Sequence, residues 1–320
     1  MMPHAKLFCL TVIGILAAFT FVSPVPGALR SVAPAPDARR SFVSGNFMMN
    51  LDGQNCGYVK GMEGGGISAE VINEPAGPSY FVKKHIGQPK YEEITVQVGF
   101  SMTKALYEWI AQSWKMNYQR KDGSIIILDR NMQPQSERKF TQALITETTI
   151  PAMDIASKEP AYMTVKFAPE TIRVSKPTGA KSAEEFGKNE QKVFLPSNFK
   201  LQIDGLDCSK VMRIESFTVK QTTVTDDIGE ARDYAKEPGK LEFPNLKLTI
   251  PESAAQGFVD WHNKFVIEGN NDEANEKGGT LTLLSPNLKT ELAKISFFNM
   301  GIFRIRPDTS EANTDAVKRL

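Results

Sequence analysis

Cysteine and histidine are scarce, with three of each in 320 residues. That excludes a small scaffold stapled by disulfides and a zinc site built from several Cys and His ligands. A surplus of one charge is missing too. Lys plus Arg is 38 and Asp plus Glu is 37, for a formal charge of +1. Such a balance provides no global field to hold a phosphate backbone or an anionic bilayer, so no nucleic-acid partner is expected. Long apolar runs are absent after residue 22, and the run at 7–22 falls short of the about 20 residues a spanning helix needs. What remains is 41% hydrophobic and 9% aromatic, enough for one or two packed cores.

The short apolar run has the flanks of a targeting signal. Lys6 precedes it, and Ser23, Pro24, Pro26, Gly27 and Ala28 follow. Residues 1–28 therefore read as a secretory signal peptide, and 29–41, with Pro34, Pro36 and Arg39-Arg40, as a linker. The mature chain would be exported to a periplasm, cell envelope or medium. Without a functional signal it would assemble in the cytoplasm.

Sliding the chain against itself by 152 positions aligns two halves. Asn46-Phe47 meets Asn198-Phe199, Asp52-Gly53 meets Asp204-Gly205, and Cys56 meets Cys208. Ile94, Val96 and Val98 meet Leu246, Leu248 and Ile250, and Trp109 meets Trp261. After four added residues Gly123 meets Gly279, and Lys139-Phe140-Thr141 then meets Lys294-Ile295-Ser296. The division is a first domain at 42–174, a polar linker at 175–192 and a second domain at 193–320. The second would stop inside its closing strand, since Ala316 to Leu320 align with Ala161 to Val165. Equivalent places in two domains would keep the Cys56 and Cys208 thiols apart.

Each half gives one coarse reading. Phe47, Met49 and Leu51, like Phe199, Leu201 and Ile203, alternate as in a half-buried strand. Asp-Gly is a hairpin signal, because both residues accept positive φ. A second alternating run leads to a helix, with Ser101 and Ser253 as candidate N-caps. Met102, Leu106, Trp109 and Ile110 form its apolar stripe, matched by Ala254, Phe258, Trp261 and Phe265. Strands at 124–128, 140–145 and 162–168 follow in the first half. The fold class is mainly β (α+β): two tandem small β-barrel or sandwich domains, each with one packed helix.

No catalytic constellation is visible. His4 lies in the leader, His85 beside Lys83-Lys84, and His262 at the edge of a helix stripe; no Ser-His-acid or paired-His spacing occurs in both halves. Gly64-Gly65-Gly66 lacks the Lys-Ser/Thr of a phosphate cradle and reads as a bulge or loop. The 270–273 cluster (NNDE) lacks calcium-loop spacing and reads as a solvated turn. Neither a metal, a cofactor nor a small-molecule substrate is expected.

The run Gly87-Gln88-Pro89-Lys90-Tyr91-Glu92-Glu93-Ile94-Thr95, followed by Gly99, Leu106-Tyr107 and Trp109-Ile110, resembles the tail tube proteins of contractile phage tails. Phe47, Asp52-Gly53, Gly57 and Gly61-Met62 are similar to their first hairpin. The resemblance covers roughly residues 42–170. The second half keeps Asn198-Phe199, Asp204-Gly205, Pro238-Gly239 and Trp261, and departs at Pro244-Asn245. It implies a barrel-and-helix subunit that forms hexameric rings stacked into a tube, as also in the haemolysin-coregulated protein of type VI secretion. It further implies that a long loop, here 71–90 with its counterpart 222–240, reaches a neighbouring ring. Tyr80, Phe81, Lys83, Lys84, His85, Arg232 and Tyr234 are then the assembly contacts.

The expectation is a structural, non-enzymatic protein that self-associates into rings, with three two-domain chains filling six places, and that meets other tail-like or envelope proteins. The alternative is an exported two-domain module that binds an envelope partner without forming tubes. A weaker third is a hydrolase with a site between domains.

Overall fold

The structure, a computed structural model, describes residues 45–75, 82–100, 102–177, 194–226, 233–308 and 318–320. The leader, the 29–41 linker, most of the 175–192 linker, Ser101, Tyr80, Phe81 and Arg232 lie outside the described residues.

The first half contains β1 (Asn46–Leu51), β2 (Gln54–Gly64), β3 (Ile67–Pro75), β4 (Val82–Tyr91) and β5 (Ile94–Val98). Helix α1 (Lys104–Trp114) follows, then β6 (Lys121–Leu128), β7 (Pro134–Ile150), β8 (Met153–Asp154), β9 (Met163–Ala168) and β10 (Thr171–Ser175). The ladders run β7-β6-β1-β2-β5-β9, and β9 returns to pair with β7. Six strands thus close on themselves, which leaves no edge around the barrel. Alternation supplies the interior: Met49, Leu51, Ile94, Val96, Val98, Ile125, Val165 and Phe167 are all buried. Leu106, Trp109 and Ile110 of α1 pack onto this core. The Trp109 indole N–H donates to the Gln119 carbonyl at 2.8 Å, so its one polar atom is satisfied. The β1–β2 turn has Asp52 at φ 46° and Gly53 at φ 75°, the two positive values a two-residue hairpin needs.

The second half contains β11 (Phe199–Ile203), β12 (Arg213–Ile214), β13 (Phe217–Asp226), β14 (Ala235–Glu242) and β15 (Leu248–Thr249). Helix α2 (Gln256–His262) runs into a π-type turn at Asn263–Ile267, and β16 (Lys277–Leu284) and β17 (Glu291–Met300) complete it. Its ladders repeat those of the first half pair by pair. Phe47 faces Ile127, and Phe199 faces Leu283. Met62 faces Val96, and Ile214 faces Leu248. Val71 faces Ile86, and Thr223 faces Pro238, each following a bulge at the equivalent place. Gly123 faces Phe140, and Gly279 faces Phe297. In the last of these strands the ladder equates Phe140 with Phe297, two residues beyond the Ile295 that sequence alignment pairs with it. The same shift holds at the C-terminus, where Leu320 exchanges backbone hydrogen bonds with Ile250 and so stands where Met163 stands opposite Val98.

Two local expectations are corrected. Helix α1 starts at Lys104 behind Thr103, whose side chain makes no capping bond, and α2 starts behind Ala255; Ser253 sits in a preceding 3-10 turn, Glu252–Ala254. The segment 71–90 is no irregular loop where described: β3 and β4 form a long hairpin there, and 222–240 gives β13 and β14. The three glycines form the β2–β3 corner, with Gly64 at φ +81° and Gly65 at φ +71°. A Cβ on Gly64 would lie 2.1 Å from the Glu93 carbonyl oxygen, so this corner needs glycine.

Candidate functional site

Two surfaces stand out. One is covered and joins the halves; the other is its uncovered counterpart. In the covered seam β13 adds to the outer edge of β7, pairing Phe217 with Ile150, Thr218 with Thr149, Val219 with Thr148 and Lys220 with Glu147. The barrel sheet thereby continues through β7 into β13 and β14. Phe217, Val219 and Gln221 are buried, and the hydroxyls of Thr149 and Thr218 meet at 2.8 Å. Ser113 Oγ donates to Gln221 Oε1 at 2.9 Å, tying the end of α1 to β13.

The flank of the seam is charged, and ions pair across it in both directions. Lys220 of the second half lies 3.9 Å from Glu147 of the first, and toward the other end cations of the first half meet anions of the second. Arg120 Nη2 donates to Glu237 Oε1 at 2.6 Å and to the Lys236 carbonyl at 2.9 Å. Arg173 lies 3.7 Å from the Asp233 carboxylate, and Tyr91 bridges them, donating to Asp233 and accepting from Arg173. The Lys236 amide donates to Glu170 Oε1 at 2.9 Å. Burial pushes the Lys236 ammonium pKa down, against the pull of Glu93 and Glu170.

The uncovered counterpart is the β3–β4 hairpin. Every residue of β3 is exposed, and Ile67, Val71, Ile72, Val82 and Ile86 place apolar side chains in solvent. Soluble surfaces rarely cluster such residues without an interaction to serve. Of the expected assembly contacts, Lys83, Lys84 and His85 fall on β4, where His85 meets Glu74 at 3.0 Å. Tyr234 is half-buried just before β14, on the other hairpin. The structure therefore divides these residues between two hairpins. The sequence reading missed Arg120, Gln221, Asp233 and Glu237, because nothing local marks them; only the 152-residue shift could have placed β13 beside an exposed twin.

Among the described residues no group of three His, Cys, Asp or Glu could hold a metal. A groove of about 1430 Å³ opens between β15, α2 and β17, lined by Leu248, Phe258, Trp261 and Phe297 and, from the first half, by Trp114 and Ile155 among others. Its described lining contains neither histidine nor cysteine. Cys56 is buried and Cys208 half-buried, both as free thiols, and burial raises the pKa of each.

No curated protein is similar to the chain. Among solved structures, it is similar to a chain of the sheath-tube complex of an extracellular contractile injection system, with 18% identity, 44% of this chain and 95% of that chain covered, and a TM-score of 0.38. It is similar to a chain of the anti-feeding prophage tube-terminating cap, with 21% identity, 47% and 97% covered, and a TM-score of 0.35. It is also similar to Hcp1 from Flavobacterium johnsoniae, with 18% identity, 41% and 96% covered, and a TM-score of 0.26. The profile of the family described as T4-like virus tail tube protein gp19 matches residues 43–173, a span that holds the complete six-strand barrel, its helix and the exposed hairpin. Over residues 43–173 the chain is similar to this T4-like virus tail tube family.

Proposed function

We propose that the chain is a tube-forming structural protein in which one polypeptide supplies two neighbouring places of a ring. Three copies then fill a ring of six barrel-like units, and rings stack into a tube. The observation that carries this reading is the seam. A tail tube barrel, complete in itself, continues its sheet edge to edge into a second unit whose ladders repeat its own registers. A covalently joined pair halves the number of separate chains a closed ring must collect. The repeated registers support the view that the second unit, residues 193–320, is a copy of the first. The family supplies tube subunits, which are not a class of enzyme.

Light scattering and electron microscopy of the purified full chain test the reading. Rings of three chains are expected. A monomer at every accessible concentration would remove tube formation, and a hexamer of chains would remove the three-copy ring alone.

A further inference from the structure

The internal seam predicts its own repetition between chains. Shifting β13 back by 152 carries Phe217, Thr218, Val219 and Lys220 onto Gly65, Gly66, Ile67 and Ser68. Shifting the β7 edge by the 157 of the last ladder carries Ile150, Thr149, Thr148 and Glu147 onto Pro307, Arg306, Ile305 and Arg304. Among the described residues Ile67 and Ser68 of the first counterpart edge and Arg304 and Arg306 of the second are exposed, while Gly65 is buried and Gly66 N–H already donates to Glu92 Oε2. Val219 is 4% exposed under the seam, whereas Ile67 at the same place is 50% exposed. Residues 301–306, counterparts of a strand in the first half, are irregular.

The charges at the two places are reversed. Arg120 corresponds to Glu276, because Lys121 and Lys277 each reach back to the turn aspartate of their own half, to the Asp52 carboxylate and to the Asp204 carbonyl. Lys236 and Glu237 correspond to Lys84 and His85. At this place the internal seam sets Arg120 of the first half against Glu237 of the second. The outer counterparts offer an acid on the second half and a basic pair on the first. Among the described residues Glu276 Oε2 is buried and has no hydrogen-bond partner.

We propose that the β3–β4 hairpin of one copy adds to residues 304–307 of a second copy. The register is Gly65 with Pro307, Gly66 with Arg306, Ile67 with Ile305 and Ser68 with Arg304, and Lys84 and His85 face Glu276. Pro307 falls at the end of this ladder, where a missing N–H is tolerated. The reversal also bears on the order of units: second half against second half would set Glu276 against Glu237, and first against first would replace the Arg120–Glu237 pair by Arg120 against His85. This inference rests on the reading of the chain as a self-assembling tube subunit.

The test is cross-linking in the full chain. Directly opposed residues of an antiparallel ladder have Cβ atoms about 4.5–5.5 Å apart, within reach of a disulfide after small adjustment. Ile67→Cys with Ile305→Cys should give covalent dimers and trimers on a non-reducing gel, well above either single variant, which control for Cys56 and Cys208. Glu276→Lys should raise the concentration for half-assembly by about tenfold or more, and adding Lys84→Glu with His85→Glu should restore it. Wild-type assembly without enhanced cross-linking in the double variant overturns the register while leaving the tube reading in place. Assembly indifferent to Glu276→Lys overturns the charge polarity. A monomeric wild type overturns this inference and the tube reading together.

Discussion

Val98 and Ile250 hold the same place in two matching registers, yet their surroundings differ. Val98 ends a continuous ladder between β5 and β9, whereas among the described residues Ile250 exchanges backbone bonds with Leu320, beside a bridge from Pro251 to Arg319. The consequence spreads along the neighbouring strand. β7 continues to Ile150 because β9 pairs one edge and β13 the other, while β17 stops at Met300 and its continuation is irregular. The helix responds as well. Trp109 is 1% exposed on a closed barrel, but Trp261 is half-buried, and α2 passes into a π-type turn. Similar sequence patterns therefore give a sealed core in one half and a groove in the other. Strand formation depends on partners for backbone N–H and C=O groups, not on alternation alone.

The largest break in this comparison should come from the two tryptophans. Trp109→Ala removes a fully buried indole from the barrel core and should cost about 3–5 kcal/mol. Trp261→Ala removes a half-buried one and should cost about 1–2 kcal/mol, in proportion to the area it takes from water. Chemical denaturation of both variants checks this. Equal losses would mean that the second half packs its helix as tightly as the first.

A smaller contrast lies at the β2–β3 corner. Gly64 corresponds to Ser216, which is exposed and carries no positive φ. Gly64→Ala must strain the backbone and displace the Glu93 carbonyl, for a loss of about 1–3 kcal/mol. Ser216→Ala should stay within about 0.5 kcal/mol of the parent. Paired thermal melts separate the two.

The smallest effect is alkaline. Tyr107, whose counterpart is Val259, donates to the Phe100 carbonyl, and burial raises its pKa above the usual tyrosine value of 10.0. The folded state therefore keeps a proton that the unfolded state has lost. Below pH 10 the group is neutral in both states and stability is unaffected, and above it stability falls as pH rises. Ultraviolet titration should show one tyrosine ionising only as the barrel opens. Tyr107→Phe should flatten the alkaline decline, and an unchanged decline would assign it to other groups.

Much of the fold is legible in the residues themselves. Period-two alternation marks β1, β5, β11 and β15, and Asp52-Gly53 marks the first turn through the positive φ it supplies. The stripe of Leu106, Trp109 and Ile110 marks α1, and the long self-alignment pairs residues whose ladders have matching registers, such as Phe47 with Phe199 and Met62 with Ile214. These signals are local, or are copied along the chain, so a linear reading suffices. Other features needed three dimensions. The last-ladder shift differs by two residues from the sequence alignment, and a change of two preserves which side chains face inward, so no pattern of hydrophobicity could report it. The exposed β3–β4 hairpin shows no inward face to read, because cross-strand hydrogen bonds rather than burial hold it. The seam of β13 on β7 joins strand segments nearly seventy residues apart, and only the packed chain decides which free edge meets which.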